Sequence, residues 1–325
     1  MKPMKTRTQP KKERTADSAF DAAPKKPEAL QPPKPRSVRP NLTREEGIAH
    51  IRALLFKASA VERPRSCRAA STQADTKPVP EATTSDLDPG ILKALLDRAR
   101  LMKPARYAQV SDEEALTRLG ALTAFEGRTV PSVAGLLAAG TDPQQFFPAF
   151  CIDVRVFQGA FSEEENRQTS EQCIKECIIK GPAAAMVKEA VSRVTAHTNL
   201  FPAEAVKELV ANAVHHRDYS EWARNIPISI RLFDNALQVR NPGGLCPGLE
   251  PRPLFESNPP IVRAWRNRVL SRLMEFMPYE DDFLVHNRGT GWPLVRRELQ
   301  AVGFGFPAVV ENPPDFFGIT LADLS

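Results

Sequence analysis

The sequence lacks the features that mark secreted and membrane-spanning proteins. It has five cysteines, an odd number with no paired spacing, which argues against a disulfide framework of the secreted kind. No apolar run approaches the roughly 18 residues that cross a bilayer, and residues 1–40 are too polar for a signal peptide. We therefore expect a cytoplasmic protein that does not associate with membranes.

Positive charge is concentrated at the start of the chain. Residues 1–86 contain 18 Lys and Arg against 10 Asp and Glu, a net charge of +8. Since the whole chain carries +5, the rest carries −3 and is not basic. The segment is rich in Pro, Lys, Ala and Ser, so we expect a disordered basic tail with one amphipathic helix at about 42–61. Such a tail can contact phosphate but, with few aromatic residues, has little means of reading bases.

Capping residues and glycines predict the elements of the folded part. An N-cap at Asp88 predicts a helix to about Leu101, and a second helix is expected to be capped by Ser111 and to end at Gly120. Residues 129–139 are predicted to be helical, and residues 152–157 a strand. Three short helices followed by a strand also fit a winged helix, which would bind DNA. Residues 162–196 have a helical pattern, broken at Gly181-Pro182.

The helix that follows Phe201-Pro202 carries polar residues on one face. Their spacing is i, i+4, i+7 and i+8, which presents a carboxylate, an amide and two imidazoles together. These residues are Glu208, Asn212, His215 and His216. Such a face can hold a hydrated metal ion. Alternatively, it is a solvated or internally hydrogen-bonded helix face, and His215 to Asp218 form a cap network that ties the helix end to the next loop.

Two glycine turns follow this helix. Strands are predicted over 226–231 and 236–240, and the second leads into Asn241-Pro242-Gly243-Gly244. The other turn is Gly289-Thr290-Gly291. Glycine lets the main chain approach a base or a phosphate closely, although either turn alone is most simply a loop.

In this order the motifs resemble the C-terminal domain of RecG-like DNA helicases and transcriptional regulators, a divergent branch of the GHKL ATPases. The resemblance runs from Phe201 to Leu321. Residues 119–157 resemble the end of a Schlafen AlbA-type DNA-binding domain, whose front part has no counterpart here. The implied fold class is α+β, with a GHKL-like helix/sheet sandwich after a small, mainly helical α+β region and a disordered N-terminal tail. The expected domains are 1–86 (tail), 87–160 (AlbA-type remnant), 161–200 (connecting helices) and 201–325 (ATP-binding).

The resemblance implies ATP and Mg²⁺ as cofactors. Glu208 would be the catalytic residue that activates water, and Asn212 the metal ligand. Asn241 stands where the family has an adenine-binding aspartate. The implied cofactor-binding residues are Asn212, His216, Asn241, Gly243, Gly244, Gly289, Thr290 and Gly291.

The function that this resemblance implies is an ATP-binding regulatory protein acting in transcription or DNA-related regulation. Hydrolysis is expected to be weak or missing, because the lid-like segment 246–260 offers only Gly248 amid prolines. No Walker loop occurs, so a motor helicase is not expected. The alternatives are a non-catalytic interaction module and a DNA-binding regulator with a winged helix and basic tail. The expected partners are a nucleotide, DNA through the tail, and a protein partner or a second copy of the chain.

Overall fold

The computed structural model describes residues 74–161, 173–245, 265–279, 282–285, 289–304, 308–311 and 315–322. All of these residues belong to one compact unit of the chain, residues 55–325. Residues 1–73 of the predicted basic tail, with its amphipathic helix at about 42–61, and the lid-like segment 246–260 lie outside the described residues. Residues 74–86, which the prediction also placed in the disordered tail, are described and contribute the buried Ala74, Val79 and Ala82, so the expected disorder does not hold for them. None of the helices in the described ranges combines the length and apolar character that a membrane span needs.

Helices and one small hairpin make up residues 89–139. In chain order they are α1 (Pro89–Met102), α2 (Pro104–Tyr107), α3 (Asp112–Leu119), β1 (Leu122–Phe125), β2 (Arg128–Pro131) and α4 (Val133–Ala139). Two predicted caps are confirmed. Asp88 Oδ1 accepts a hydrogen bond from the Ile91 N–H at 2.9 Å, and Ser111 Oγ accepts one from the Glu114 N–H at 3.2 Å. Gly120 ends α3 in the left-handed conformation, at φ +87°.

The helix predicted over 129–139 is shorter than expected. Its first residues form β2, which pairs antiparallel with β1, and the helix begins only after Ser132. Ser132 Oγ accepts a hydrogen bond from the Gly135 N–H at 2.9 Å, so the serine caps α4. Strand pairing thus replaces the first helical turn that the sequence pattern indicates.

A six-stranded mixed sheet forms the second half of the unit. Its strands are β3 (Ile152–Phe157), β4 (Cys173–Ile179), β5 (Ile228–Leu232), β6 (Ala236–Pro242), β9 (Ala308–Glu311) and β10 (Phe316–Ala322), whereas β7 (Pro278–Tyr279) and β8 (Asp282–Phe283) pair with each other. The order is β4-β3-β5-β6-β10-β9, with β3 parallel to β5 and the other neighbours antiparallel. The predicted strand at 152–157 and the two predicted strands that form the β5–β6 hairpin are confirmed.

The helical reading of residues 162–196 is wrong for part of that range. Cys173–Ile179 forms β4, an edge strand that pairs with β3, and the helix α5 (Ala183–His197) begins after Gly181-Pro182. Because β3 pairs with β4 and β5 in the large sheet, the pairing gives no support to a winged helix over 88–160.

Helices cover one face of the sheet. These are α5, which packs on β3 and β4, and α6 (Ala203–His216), which packs on β6 and α5. Two further helices, α7 (Arg268–Phe276) and α8 (Gly291–Ala301), contact α4 and α6 respectively. The predicted α+β class is therefore confirmed, with helices layered on a mixed sheet.

A carboxylate far away in the sequence fixes the start of α7. Asp75 Oδ2 accepts hydrogen bonds from the Val269 and Leu270 N–H groups at 2.8 and 3.0 Å, across 194 and 195 residues. Asp75 is buried, and burial raises the pKa of its carboxyl group. The start of the described chain is thereby joined to a helix of its C-terminal half.

Candidate functional site

Helix α6 holds three of the nine predicted site residues. Its 14 residues begin after Pro202, and Val206 and Val210 are fully buried in the core beneath it. The predicted polar residues Glu208, Asn212 and His216 are half-buried on the same helix. The helical period therefore separates a packed face from a partly open polar face, as the spacing indicates.

The second glycine turn meets this polar face. Asn212 Nδ2 donates a hydrogen bond to Glu208 Oε1 at 3.1 Å. Gly291 begins α8 against the same carboxylate, so a Cβ added to Gly291 would lie 1.8 Å from Glu208 Oε1. Gly289 precedes it at φ +74°, and the side chain of Thr290 is exposed. The main chain at Gly291 thus lies so close to the Glu208 carboxylate that a side chain at residue 291 would require Glu208 to move.

The first glycine turn packs against residues that follow the C-terminal end of α6. Gly243 has φ +91°, and a Cβ there would lie 2.9 Å from Cβ of Asp218 and 3.2 Å from Cζ of Arg266. The Gly244 carbonyl accepts a hydrogen bond from Arg266 Nη2 at 2.6 Å. The need for glycine at residue 243 is therefore explained by neighbouring protein groups.

Asp218 and Arg266 form a buried ion pair beside this turn. Arg266 Nη1 lies 3.3 Å from Asp218 Oδ2. The carboxylate also accepts hydrogen bonds from the Ser220 N–H at 2.8 Å and from Trp222 Nε1 at 3.0 Å. The Asp218 N–H in turn donates to the Pro242 carbonyl at 2.8 Å. Asp218 therefore links the end of α6 to the glycine turn and to the segment before α7.

Arg217 and Asn267 complete a network around the end of α6. The buried Arg217 guanidinium donates hydrogen bonds to the carbonyls of Ala149, Ala223 and Ile226. Burial lowers the pKa of Arg217 to about 10, which still leaves it cationic at neutral pH. Asn267 Nδ2 donates to the His215 and Arg217 carbonyls at 2.8 and 2.7 Å, which satisfies main-chain groups at the helix end. The alternative prediction of a cap network is confirmed for Arg217 and Asp218.

The two histidines occupy different environments. His215 is buried, and its ring nitrogens have no hydrogen-bond partner among the described residues. Its ring centroid lies 3.9 Å from that of the half-buried His216. The pKa of His216 is lowered to about 4, mainly by burial and secondarily by the positive charge of Arg266. Burial also lowers the pKa of His215 well below its usual value. Both imidazoles are therefore neutral at pH 7.

Asn241 lies at the end of β6, beside the first turn. Its side chain is buried, and Nδ2 donates to the Pro242 carbonyl at 3.4 Å. Its assignment as an adenine-binding residue stays a prediction.

The predicted site residues thus form two groups along α6. One group contains Glu208, Asn212 and Gly291, and the other surrounds Gly243 and His216. From Glu208 to His216 the helix rises about 12 Å, at about 1.5 Å per residue. The described ranges contain no group of three or more His, Cys, Asp or Glu side chains that would hold a metal by themselves. An Asn and a Glu still suit Mg²⁺, which keeps several of its waters as ligands.

Sequence reasoning missed Arg266 and Asn267. Both precede α7 and reach the end of α6 across 48 to 52 residues. No local pattern indicates such a pairing, because it depends on tertiary packing of α7.

Two parts of the chain match known families. Residues 226–321 match the family described as "Putative ATP-dependent DNA helicase recG C-terminal", and residues 65–153 match a domain of unknown function, DUF8451. The first match supports the RecG C-terminal-like domain of the ATPase type that the resemblance predicted. Both glycine turns lie within the matched range, whereas α6 precedes it. The Schlafen AlbA-type resemblance and the GHKL relationship stay predictions.

The fold is also similar to that of a solved protein. The crystal structure of the DIP2311 protein from Corynebacterium diphtheriae matches with 25% sequence identity and a TM-score of 0.52. The similarity covers 77% of this chain and 40% of that chain. This chain thus corresponds to less than half of the length of the solved protein. None of the curated proteins compared with this chain matches it.

Proposed function

We propose that residues 201–322 bind ATP with Mg²⁺ in a GHKL-type site and act as a regulatory domain. The observation that carries this proposal is the contact between Gly291 and Glu208. It places a glycine main chain and the N-terminus of α8 against the face of α6 that bears the Glu208 carboxylate and the Asn212 amide. Helix N-termini and glycine backbones are general features of phosphate sites. The RecG C-terminal-like match of residues 226–321 supports the same class of ligand.

In this proposal Asn212 holds the magnesium ion through its amide oxygen, and Glu208 accepts a proton from the attacking water. The ion, when bound, supplies charge neutralisation of the phosphates. Glu208 and Asn212 already contact each other, so the two functional groups are held together on one helical turn. The first glycine turn, with Asn241 and His216, is proposed to contact the base. Hydrolysis is expected to be weak or missing.

A non-catalytic interaction module is the second candidate. One specific observation favours it: the Asp218–Arg266 pair already engages the first turn, through Gly244 and Gly243. In that case the glycines serve packing, and no nucleotide is needed. The first proposal also includes regulation of transcription and the AlbA-type relationship of residues 87–160, which the sequence resemblance implies. It further includes DNA contact through the basic tail, which the positive charge of the tail favours.

The experiment that tests the proposal is calorimetric titration of the full chain with ATP in Mg²⁺ and in EDTA. Heat of binding in Mg²⁺ that is strongly reduced in EDTA supports a nucleotide site. A flat titration with millimolar ATP in both buffers would leave the interaction module as the remaining candidate.

A further inference from the structure

A cluster of basic residues lies where α2, α3 and α7 meet, away from the proposed nucleotide site. We name it the basic surface, and it consists of Lys103, Arg106, Arg118, Arg268 and Arg272. Arg118 Nη1 donates a hydrogen bond to the Arg106 carbonyl at 2.9 Å, and Arg272 Nη1 donates to the Arg118 carbonyl at 3.3 Å. Residues that are far apart in the sequence are thereby held side by side.

Aromatic packing gives the basic surface a rigid base. Tyr107 and Phe276 are buried and pack edge to face, with ring centroids 6.5 Å apart. Lys103 Nζ lies 5.0 Å from the centroid of the Phe276 ring, and Arg106 Cζ lies 5.6 Å from that of Tyr107. The two cationic groups therefore lie above a packed aromatic core.

Few carboxylates neutralise the basic surface. Glu114 pairs with Arg118 at 2.5 Å, and Asp75 is buried beneath Arg272, where it caps α7. The half-buried Glu275 lies one turn beyond Arg272. Within the described ranges, the exposed residues Lys103, Arg106 and Arg268 have no carboxylate at ion-pair distance. This excess of positive charge is notable because the chain after residue 86 carries −3 overall.

We propose that the basic surface binds the phosphate backbone of a nucleic acid. On α7 its two members, Arg268 and Arg272, are about 6 Å apart along the helix axis, at about 1.5 Å per residue. Duplex DNA presents about one phosphate charge per 1.7 Å of its axis when both strands are counted, so even this length of duplex carries about three or four charges. The aromatic rings are buried and cannot stack on bases, so the contact reads no sequence. The proposal is independent of ATP binding and of the basic tail.

Fluorescence anisotropy with a short labelled duplex of mixed sequence tests this inference on the full chain. The variant combines Lys103→Ala, Arg106→Ala and Arg268→Ala, and the dissociation constant is measured over a range of salt concentrations. Each phosphate contact contributes about 0.9 to the slope of log affinity against log salt, so the slope should fall by about 2.7 in magnitude. A contribution from the tail adds to the slope in all variants and does not mask the difference.

The matched control removes the same charge elsewhere, with Lys93→Ala, Lys188→Ala and Arg297→Ala, all at exposed positions. An equal loss in the control, an unchanged slope in the first variant, or no duplex binding by the parent chain would overturn the proposal. So would displacement of the duplex by polyglutamate at equal charge concentration, which would indicate an acidic protein partner. If thermal melting shows that the triple variant is unfolded, the single variant Arg268→Ala takes its place and should lower the slope by about 0.9 in magnitude. An unchanged slope in Arg268→Ala would also overturn the proposal.

Discussion

Asp218 and Arg266 are 48 residues apart in the sequence, yet they form an ion pair of 3.3 Å in which each side chain is only 3% exposed. The pair joins the end of α6 to the start of α7 and lies directly against Gly243. Because a buried charge needs its partner, this relationship should dominate the local stability of the site.

Removal of Arg266 should destabilise the protein strongly. Arg266→Met leaves the Asp218 carboxylate buried with only its two neutral donors, and breaking a buried pair in this way costs about 3–5 kcal/mol. Urea unfolding measures the change. The double variant Arg266→Met with Asp218→Asn should lose less than the sum of the single variants, because neither charge then remains unpaired.

A surface pair provides the control for this cycle. Arg297 and Glu298 form an exposed contact at 2.8 Å, and Arg297→Ala should change the unfolding free energy by at most about 1 kcal/mol. Strictly additive losses in the Asp218 and Arg266 variants would show that the pair is not energetically coupled.

A side chain at residue 291 should destabilise the protein less when Glu208 is shortened. The Gly291→Ala methyl group would overlap the Glu208 carboxylate, so Glu208 must leave its hydrogen bond to Asn212. We expect a loss of about 1–2 kcal/mol from overpacking, measured by urea unfolding. In a Glu208→Ala background the same substitution should cost much less. An equal cost in both backgrounds would contradict the contact between these two residues.

Acid should destabilise the protein partly through His216. Its folded-state pKa of about 4 lies below the unfolded value of 6.5, so the unfolded chain binds the extra proton first. The resulting stability is complete above pH 6.5 and is lost as the pH falls towards 4, by up to about 1.4 kcal/mol per pH unit. His216→Gln should therefore flatten the fall of unfolding free energy between these pH values. The exposed His197, whose pKa burial lowers less strongly, is the control, and an equally large effect of His197→Gln would argue against a special role of His216.

Glu208 should affect turnover more than binding. If Glu208 accepts a proton from water, Glu208→Ala keeps ATP affinity within a few-fold and removes any phosphate release above background. A phosphate-release assay and a binding titration on the same preparation measure the two effects. Equal loss of affinity and turnover would mean that Glu208 positions α8 or Asn212 instead of activating water.

Local signals predicted the elements whose ends are set by nearby residues. Asp88, Ser111 and Gly120 delimit two helices through caps and a left-handed turn, and these operate within four residues. The β5–β6 hairpin and the polar face of α6 follow from simple periodicity. Such features depend little on the rest of the fold.

Where the sequence pattern assigned the wrong element, the observed structure depends on contacts with residues far away in the sequence. Ile174 and Ile178 are spaced like neighbours on a helix, but the segment is an edge strand in which both side chains are exposed. Pairing with β3 is what stabilises it, and no local residue indicates that partner. The same limit applies to the site, where Arg266 and Asn267 reach α6 only because α7 packs against distant helices.

The measurement that tests the central claim most directly compares the magnesium-dependent ATP affinity of the parent chain with that of Asn212→Ala. The claim is that the polar face of α6 binds nucleotide through a metal ion. Asn199, which is exposed outside this face, supplies the control variant Asn199→Ala. We predict ATP binding that EDTA weakens in the parent and in Asn199→Ala, and that is reduced about tenfold, or about 1.4 kcal/mol, in Asn212→Ala. Equal affinity of all three proteins in Mg²⁺ would contradict the account.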